Sequence, residues 1–188
     1  YFEKDKPLVS DIEFDKLKKE LDDLEKKYPF LKATGSILDK VGSKPSGKFE
    51  KIKHSKKMLS LSNAFEKGDM EDFKKKIKNF LNTSSEILLS SEPKIDGISA
   101  SLRYENGKLV HGLSRGDGVF GENITENLLT ISDIPKNIGD APSILEVRGE
   151  VYIGKKDFEK IKDKFANPRN AASGSLRQKD PNETKKIP

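Results

Sequence analysis

Lys94 stands in "SSEPKIDGIS" (90–99), between a proline and an Asp-Gly pair. A lysine amine attacks phosphorus or carbonyl carbon only when unprotonated, a state that burial or a neighbouring cation promotes. The same surroundings also suit an ordinary surface lysine beside a turn, because Asp-Gly favours turns. The preceding "EILLSS" (86–91) reads as a buried strand, which would place Lys94 at its end in a desolvated position. Further on, "SRGDG" (114–118) sets Arg115 beside two glycines, whose missing side chains would let backbone approach a phosphate closely. Taken singly, such a segment is more often an ordinary tight turn. Glu150 lies on the polar face of a patterned strand and must meet solvent, a cation such as Arg148, or a ligand. His54 and His111 have no metal-like spacing, and the chain has neither GxxxxGK[ST] nor a GxGxxG opening a helix.

The elements that must hold these groups follow from periodicity. In "SDIEFDKLKKELDDLEKKY" (10–28), Phe14, Leu17, Leu21, Leu24 and Tyr28 recur at helical spacing. Ser10 and Glu13 form a capping box there and Pro29 is the stop. A Gly/Pro-containing segment follows, reading as a linker, and Met70, Phe73, Ile77, Phe80 and Leu81 predict a second amphipathic helix over 69–82. Ile98, Ala100, Leu102 and Tyr104 then alternate into "ENGKL", an Asn-Gly hairpin signal that returns through "LVHGLSR". "LEVRGEVYI" (145–153) alternates Leu145, Val147, Val151 and Ile153 against Glu146, Arg148 and Glu150. Phe158, Ile161 and Phe165 suggest a helix over 155–165, and beyond Ala166 the pattern dissolves.

Composition bounds the rest. The 188 residues suffice for one good-sized domain, or a medium one with a small appendage. Hydrophobic content is 33% and charged content 36%, but the apolar residues are clustered and periodic, which argues against disorder. With no cysteine, thiolate metal sites and disulfides within the chain are excluded. No run approaches the roughly 20 apolar residues of a membrane span. The chain begins at Tyr1 with neither methionine nor a signal-like run, so it is expected to be part of a cytoplasmic protein. Residues 154–188 carry ten Lys/Arg against five Asp/Glu, which is the whole excess of +5. A polyanionic partner and simple solubility both account for it.

"EPKIDG", "SRGDG", "EVRGEVYI" and "FANPRNAASGSLRQ", in this order, resemble the adenylation domain of the bacterial NAD-dependent DNA ligases. "VSDIEFDKL", "KHSKKMLSLSNAF" and "GENITENLLTISDIP" match further segments of that family, so the resemblance covers essentially the whole chain. It implies an α+β fold: a small helical NAD-recognition unit over 1–48, then a nucleotidyltransferase domain over 49–188. That domain would have a mixed or antiparallel sheet, ATP-grasp-like as in DNA ligases and mRNA capping enzymes, and would be incomplete at its C-terminal end. Lys94 would take AMP from NAD as a phosphoramide and expel nicotinamide mononucleotide. Glu92 would contact adenine, Asp96 would order the lysine, and Arg115 would hold the ribose and phosphate region. Glu150 would bind ribose hydroxyls or help place magnesium, and Ser60 and Leu61 would lie near adenosine, with Leu61 equally well explained as core. AMP would then pass to the 5′-phosphate of nicked duplex DNA, and the 3′-hydroxyl would seal it, with a monomer as the acting species.

Tyr1, Phe2, Asp11, Phe14 and Asp15 match the positions that meet the nicotinamide mononucleotide half of NAD. Phe2 replaces an aromatic that usually carries a polar tip and Phe14 replaces a tyrosine, so each keeps a ring and loses a hydrogen-bonding group. Asp11 and Phe14 also have structural readings, near the helix start and on the apolar stripe. Arg169 and Arg177 match positions expected near DNA phosphates, which fits the basic terminal stretch, whereas Ile187 stands where the family has a neighbouring arginine. Two other readings remain open: a module that binds NAD or DNA without turnover, and an ATP- or GTP-using RNA ligase or capping enzyme. The "SDIEFD" helix argues against the latter.

Overall fold

Asn106 and Gly107 adopt positive φ (48° and 79°), the geometry that folds the Asn-Gly signal into a two-residue hairpin. The flanking strands are β2 (Ile98–Glu105) and β3 (Lys108–Ser114), paired antiparallel from Glu105↔Lys108 to Ala100↔Ser114. A bulge between Arg103 and Tyr104 shifts the register. These strands belong to a computed structural model that describes residues 9–32, 36 and 49–188. The remaining elements are α1 (Asp11–Lys27), a 3-10 turn (Pro29–Leu31), β1 (Lys51–Lys53), α2 (Lys67–Leu81), β4 (Phe120–Glu122), α3 (Thr125–Leu128), β5 (Ile144–Val151), α4 (Lys155–Phe158), α5 (Pro168–Leu176) and α6 (Pro181–Lys185). The chain forms two compact units, Tyr1–Met58 with Ile95–Pro188, and Leu59–Lys94. The boundary expected near residue 48 lies outside the described residues.

In the larger unit β5 pairs antiparallel with β2, giving the order β3-β2-β5, while β1 pairs with β4 in a separate two-stranded sheet. The combination of helices and antiparallel sheet is an α+β arrangement. Directly opposed residues share a face, so Ile98, Ala100 and Leu102 fall on the side of Val151 and Val147. That side is closed by Ile124, Leu128 and Leu176, which pack with Ala100 and with Ile98, Leu102 and Val151 around it. The opposite face carries Ser99, Ser101 and Arg103 against Glu150, Arg148 and Glu146. The alternation expected of 145–153 is therefore present, although the strand stops at Val151. A second core joins Ile153, Ile161, Ala171 and Ala172 with Phe158, Phe165 and Ile187.

α1 is the predicted helix with its capping box intact. Ser10 Oγ accepts from the Glu13 amide, and the Glu13 carboxylate accepts from the Ser10 amide at 2.9 Å. α2 also forms, but Met70, Phe73, Phe80 and Leu81 of its stripe are exposed.

Several expectations fail. "EILLSS" is not a strand, and Leu88 is 89% exposed, because a strand needs a ladder partner and its unit supplies none among the described residues. Leu61 is 78% exposed and is not core. The helix expected over 155–165 is regular only through Phe158 and continues as turns. After Ala166 the chain does not dissolve but makes α5 and α6. Asn167 and Asp180 cap these helices by accepting from the amides of Asn170 and Asn182, with Pro168 and Pro181 in the first turn.

Candidate functional site

The start of β2 is where candidate site residues of the larger unit converge. Gly97 is buried, and a Cβ there would lie 2.2 Å from the Val151 carbonyl oxygen, so β5 can approach only because the residue is glycine. Just before it, Asp96 accepts from Arg169 Nη1 at 2.9 Å, an exposed contact that ties α5 to the motif. Just after it, Ser99 donates its hydroxyl to Glu150 at 2.9 Å across the β2–β5 pair.

Arg115 follows β3 and is half-buried. Burial, then the nearby Arg169 charge, lowers its pKa from the usual guanidinium value, and the Glu150 carboxylate opposes them. Guanidinium pKa values start high enough that Arg115 stays cationic at neutral pH. The corner thus sets two cations, Arg115 and Arg169, among two carboxylates, Glu150 and the Asp96 that Arg169 already pairs with.

The backbone here is built as a tight turn. Gly116 (φ 57°) could not carry a side chain, since a Cβ would lie 1.9 Å from the Phe120 carbonyl oxygen. Asp117 Oδ1 accepts from the amides of Phe120 at 2.7 Å and Val119 at 2.9 Å. The Phe120 bond, opposed by partial burial and assisted by Val119, holds its pKa below the ordinary aspartate value. The glycines of "SRGDG" thus have a demonstrable structural task, whatever they also do for a phosphate.

Residues 54–58 run between this turn and β5. The amides of His54 and Met58 donate to the carbonyls of Val119 and Gly118, each at 2.9 Å. On the other flank, Arg148 donates to the carbonyls of Lys56 (2.6 Å) and Lys57 (3.0 Å), and Ser55 donates to Glu146. Burial pushes the Glu146 carboxyl up, but hydrogen bonds from Ser55 and Arg148 and the Arg148 charge leave it below its ordinary value. Beneath this segment lies a cavity of about 260 Å³ lined by His54, Ser55, Ser101, Arg103, His111 and Glu146, among others.

Lys94, exposed, is the last residue of the smaller unit, and it is not at the end of a buried strand. Glu92, Ser60 and Leu61 belong to the same unit and are likewise exposed. Phe14 and Asp15 are half-buried on α1, whose first residue is Asp11, and the i, i+3, i+4 spacing sets all three positions on one face. Tyr1 and Phe2 lie outside the described residues. Arg177 Nε approaches the Glu122 carboxylate to 3.4 Å, with Glu122 only 1% exposed. Ile187 is packed into the second core, an apolar task that its arginine counterpart would not perform.

The segments that hold Glu122, Asp117 and residues 54–58 match the family pattern, but sequence alone assigned none of these residues a role. Asp117 had a signal, an Asx residue between two glycines. Glu122 had none, because its burial depends on β1, β4 and Arg177 meeting. Among the described residues no group of three His, Asp or Glu side chains could hold a metal ion, and no helix is long and apolar enough to cross a membrane.

Comparison with known proteins covers both ends of the chain. Residues 46–188 match the family model "NAD-dependent DNA ligase adenylation domain", and residues 1–42 match "DNA ligase-like, N-terminal NAD+-binding domain". A DNA ligase of Pelagibacter ubique is 59% identical over 192 residues, covering 100% of this chain and 28% of the relative. DNA ligases of Roseobacter denitrificans and Rickettsia bellii are each 50% identical, again over 100% of this chain and 28% of their own lengths. The chain thus spans just over a quarter of these curated relatives.

Proposed function

Because this chain belongs to the NAD-dependent DNA ligase family, we propose that it is the part that takes AMP from NAD, within an enzyme that seals nicks in duplex DNA during replication and repair. In this reading the fold is the ATP-grasp-like nucleotidyltransferase fold, preceded by the NAD-recognition unit. The observation that carries it is the convergence of Asp96, Arg169, Arg115, Glu150 and Ser99 around the start of β2, with Asp96 just two residues after Lys94 in the chain.

The unprotonated Lys94 amine attacks the phosphorus of the AMP half of NAD. An N–P bond forms, the pyrophosphate P–O bond breaks, nicotinamide mononucleotide leaves with the electron pair, and the amine loses its proton. Arg115 supplies positive charge where phosphate oxygens gain negative charge, which lowers the barrier most where charge develops. Glu150, oriented by Ser99, binds ribose hydroxyls. Glu92, Ser60 and Leu61 contact the adenosine, while Tyr1, Phe2, Asp11, Phe14 and Asp15 receive the nicotinamide end. One carboxylate beside a phosphate site fits magnesium, which keeps several waters and leans on substrate phosphates. Glu150 would hold it, and the ion would supply charge neutralisation.

Arg169 and Arg177 are proposed to meet DNA phosphates. Arg169 would exchange Asp96 for phosphate, and the 37% of the Arg177 side chain left exposed beside Glu122 would face the duplex. All these groups sit on one chain, so the acting species is a monomer, working in the cytoplasm where the DNA is.

The test is intact mass after incubation with NAD and magnesium. A gain equal to AMP in the wild type and none in Lys94→Ala is expected; transfer from ATP but not NAD would overturn the reading. The exposure of Lys94 favours one alternative, NAD or DNA binding without turnover, which predicts no gain in either protein.

A further inference from the structure

The segment 54–58 is fastened on both flanks, to the turn that carries Arg115 and to the strand that carries Glu150. Toward the turn there are three ties: the amides of His54 and Met58 on Val119 and Gly118, and His54 Nε2, 3.1 Å from the Arg115 carbonyl. A carbonyl oxygen only accepts, so this last bond requires the hydrogen on Nε2. His54 is 6% exposed, and its ring rests against Gly121, where a Cβ would lie 2.8 Å from Nε2.

Toward β5 the fastening is Arg148. It is two residues from Glu150 on the same face, yet its guanidinium is not free for a ligand. Nη1 donates to Lys57 O, Nη2 to Lys56 O and to Glu146, and Nε to Glu146 at 3.1 Å. Glu146 in turn accepts from Ser55. A half-exposed Arg–Glu pair contributes little stability alone. Bonding two successive backbone carbonyls, however, uses the planar fork as a clamp, which a lysine point charge cannot reproduce.

We propose that Arg148, backed by Glu146 and Ser55, is a positioning residue for adenylation: it clamps residues 54–58 to β5 and so sets the Arg115 turn at its working distance from Glu150. The inference rests on the function proposed above. Arg148 touches no reacting atom in it. Its effect passes through the 54–58 segment, and a misplaced cation loses substrate affinity as well as rate.

Two measurements test it, on wild type, Arg148→Met, Arg148→Lys and the milder Ser55→Ala. Amide hydrogen exchange is read first, without NAD. In Arg148→Met the Met58 and His54 amides should exchange roughly tenfold faster, the loss expected for a charge-assisted bond, while Leu102 in β2 keeps its protection. The NAD concentration dependence of Lys94–AMP formation is read second. KM for NAD should rise about tenfold in Arg148→Met, less in Arg148→Lys and least in Ser55→Ala. Unchanged Met58 and His54 protection, a uniform acceleration that includes Leu102, or a lower maximal rate at unchanged KM each overturns the proposal. A wild type that forms no adduct sinks the proposed function, and the exchange pattern still decides the clamp.

Discussion

Asp96 accepts a hydrogen bond from Arg169 at 2.9 Å, so the aspartate two positions after Lys94 is held by the first turn of α5. Both side chains are partly exposed, which limits the pair to under about 1 kcal/mol of stability. Asp96→Ala is therefore expected to change thermal melting little. Lys94–AMP formation should nevertheless slow by roughly 10²-fold, the scale of a small misplacement of reacting groups. Equal adenylation rates for variant and wild type would remove Asp96 from the site.

Gly97→Ala drives a Cβ into the Val151 carbonyl, whose position is fixed by the Ile98↔Val151 pairing. Overpacking of this kind costs about 1–3 kcal/mol, and more where backbone must shift. The urea midpoint should fall accordingly. Gly149→Ala on the same β5 strand is the control, since a Cβ there meets nothing within 4 Å.

Arg177→Met removes a cation from Glu122, a carboxylate only 1% exposed. Breaking a buried pair from one side costs roughly 3–5 kcal/mol, and the partial exposure of Arg177 places this case toward the lower end. Adding Glu122→Gln should recover much of the loss. A destabilisation by Arg177→Met below measurement error would mean that Arg177 serves DNA alone.

Asp117 gives the Arg115 turn an acid sensitivity. Its pKa is held below the ordinary aspartate value by the Phe120 amide, against partial burial and with help from Val119. A carboxyl whose pKa is lower folded than unfolded binds fewer protons in the fold. Its contribution is therefore complete above the unfolded value of 3.8 and is lost as pH falls through the folded one. Wild type should lose more stability than Asp117→Asn between neutral pH and the acid limb, with about 1 kcal/mol separating them at neutrality. Parallel stability–pH curves would defeat this.

Phe14 shares a face of α1 with Asp11 and Asp15 and lacks the hydroxyl of the tyrosine it replaces in the family pattern. Phe14→Tyr should lower KM for NAD severalfold, within the 0.5–1.5 kcal/mol of roughly one added hydrogen bond. An unchanged rate and KM would show that the ring alone does the work.

Local chemistry was legible from the residues. The capping box of α1, the Asn-Gly hairpin and the alternation of β5 each depend on neighbours a few positions apart, and each formed as the pattern implies. Helices α5 and α6 were legible in principle, through Asn167-Pro168 and Asp180-Pro181, but their short apolar patterns hid them. "EILLSS" failed for the opposite reason: its strand propensity was real, and its ladder partner had to come from elsewhere in the chain.

By itself the sequence determined which groups could act: a lysine ahead of Asp-Gly, an arginine in a glycine turn, a carboxylate on a strand, in an order that marks their family. Only tertiary structure decided that Asp96 meets Arg169, that Arg115 lies near Glu150, that Glu122 is buried against Arg177, and that Arg148 is spent on the carbonyls of residues 56 and 57. The physical reason is range. Caps, turns and pleats are settled within a few residues, whereas burial and charge pairing depend on groups brought together from well apart in the chain, as far as 92 positions for Arg148 and Lys56, which no local pattern encodes.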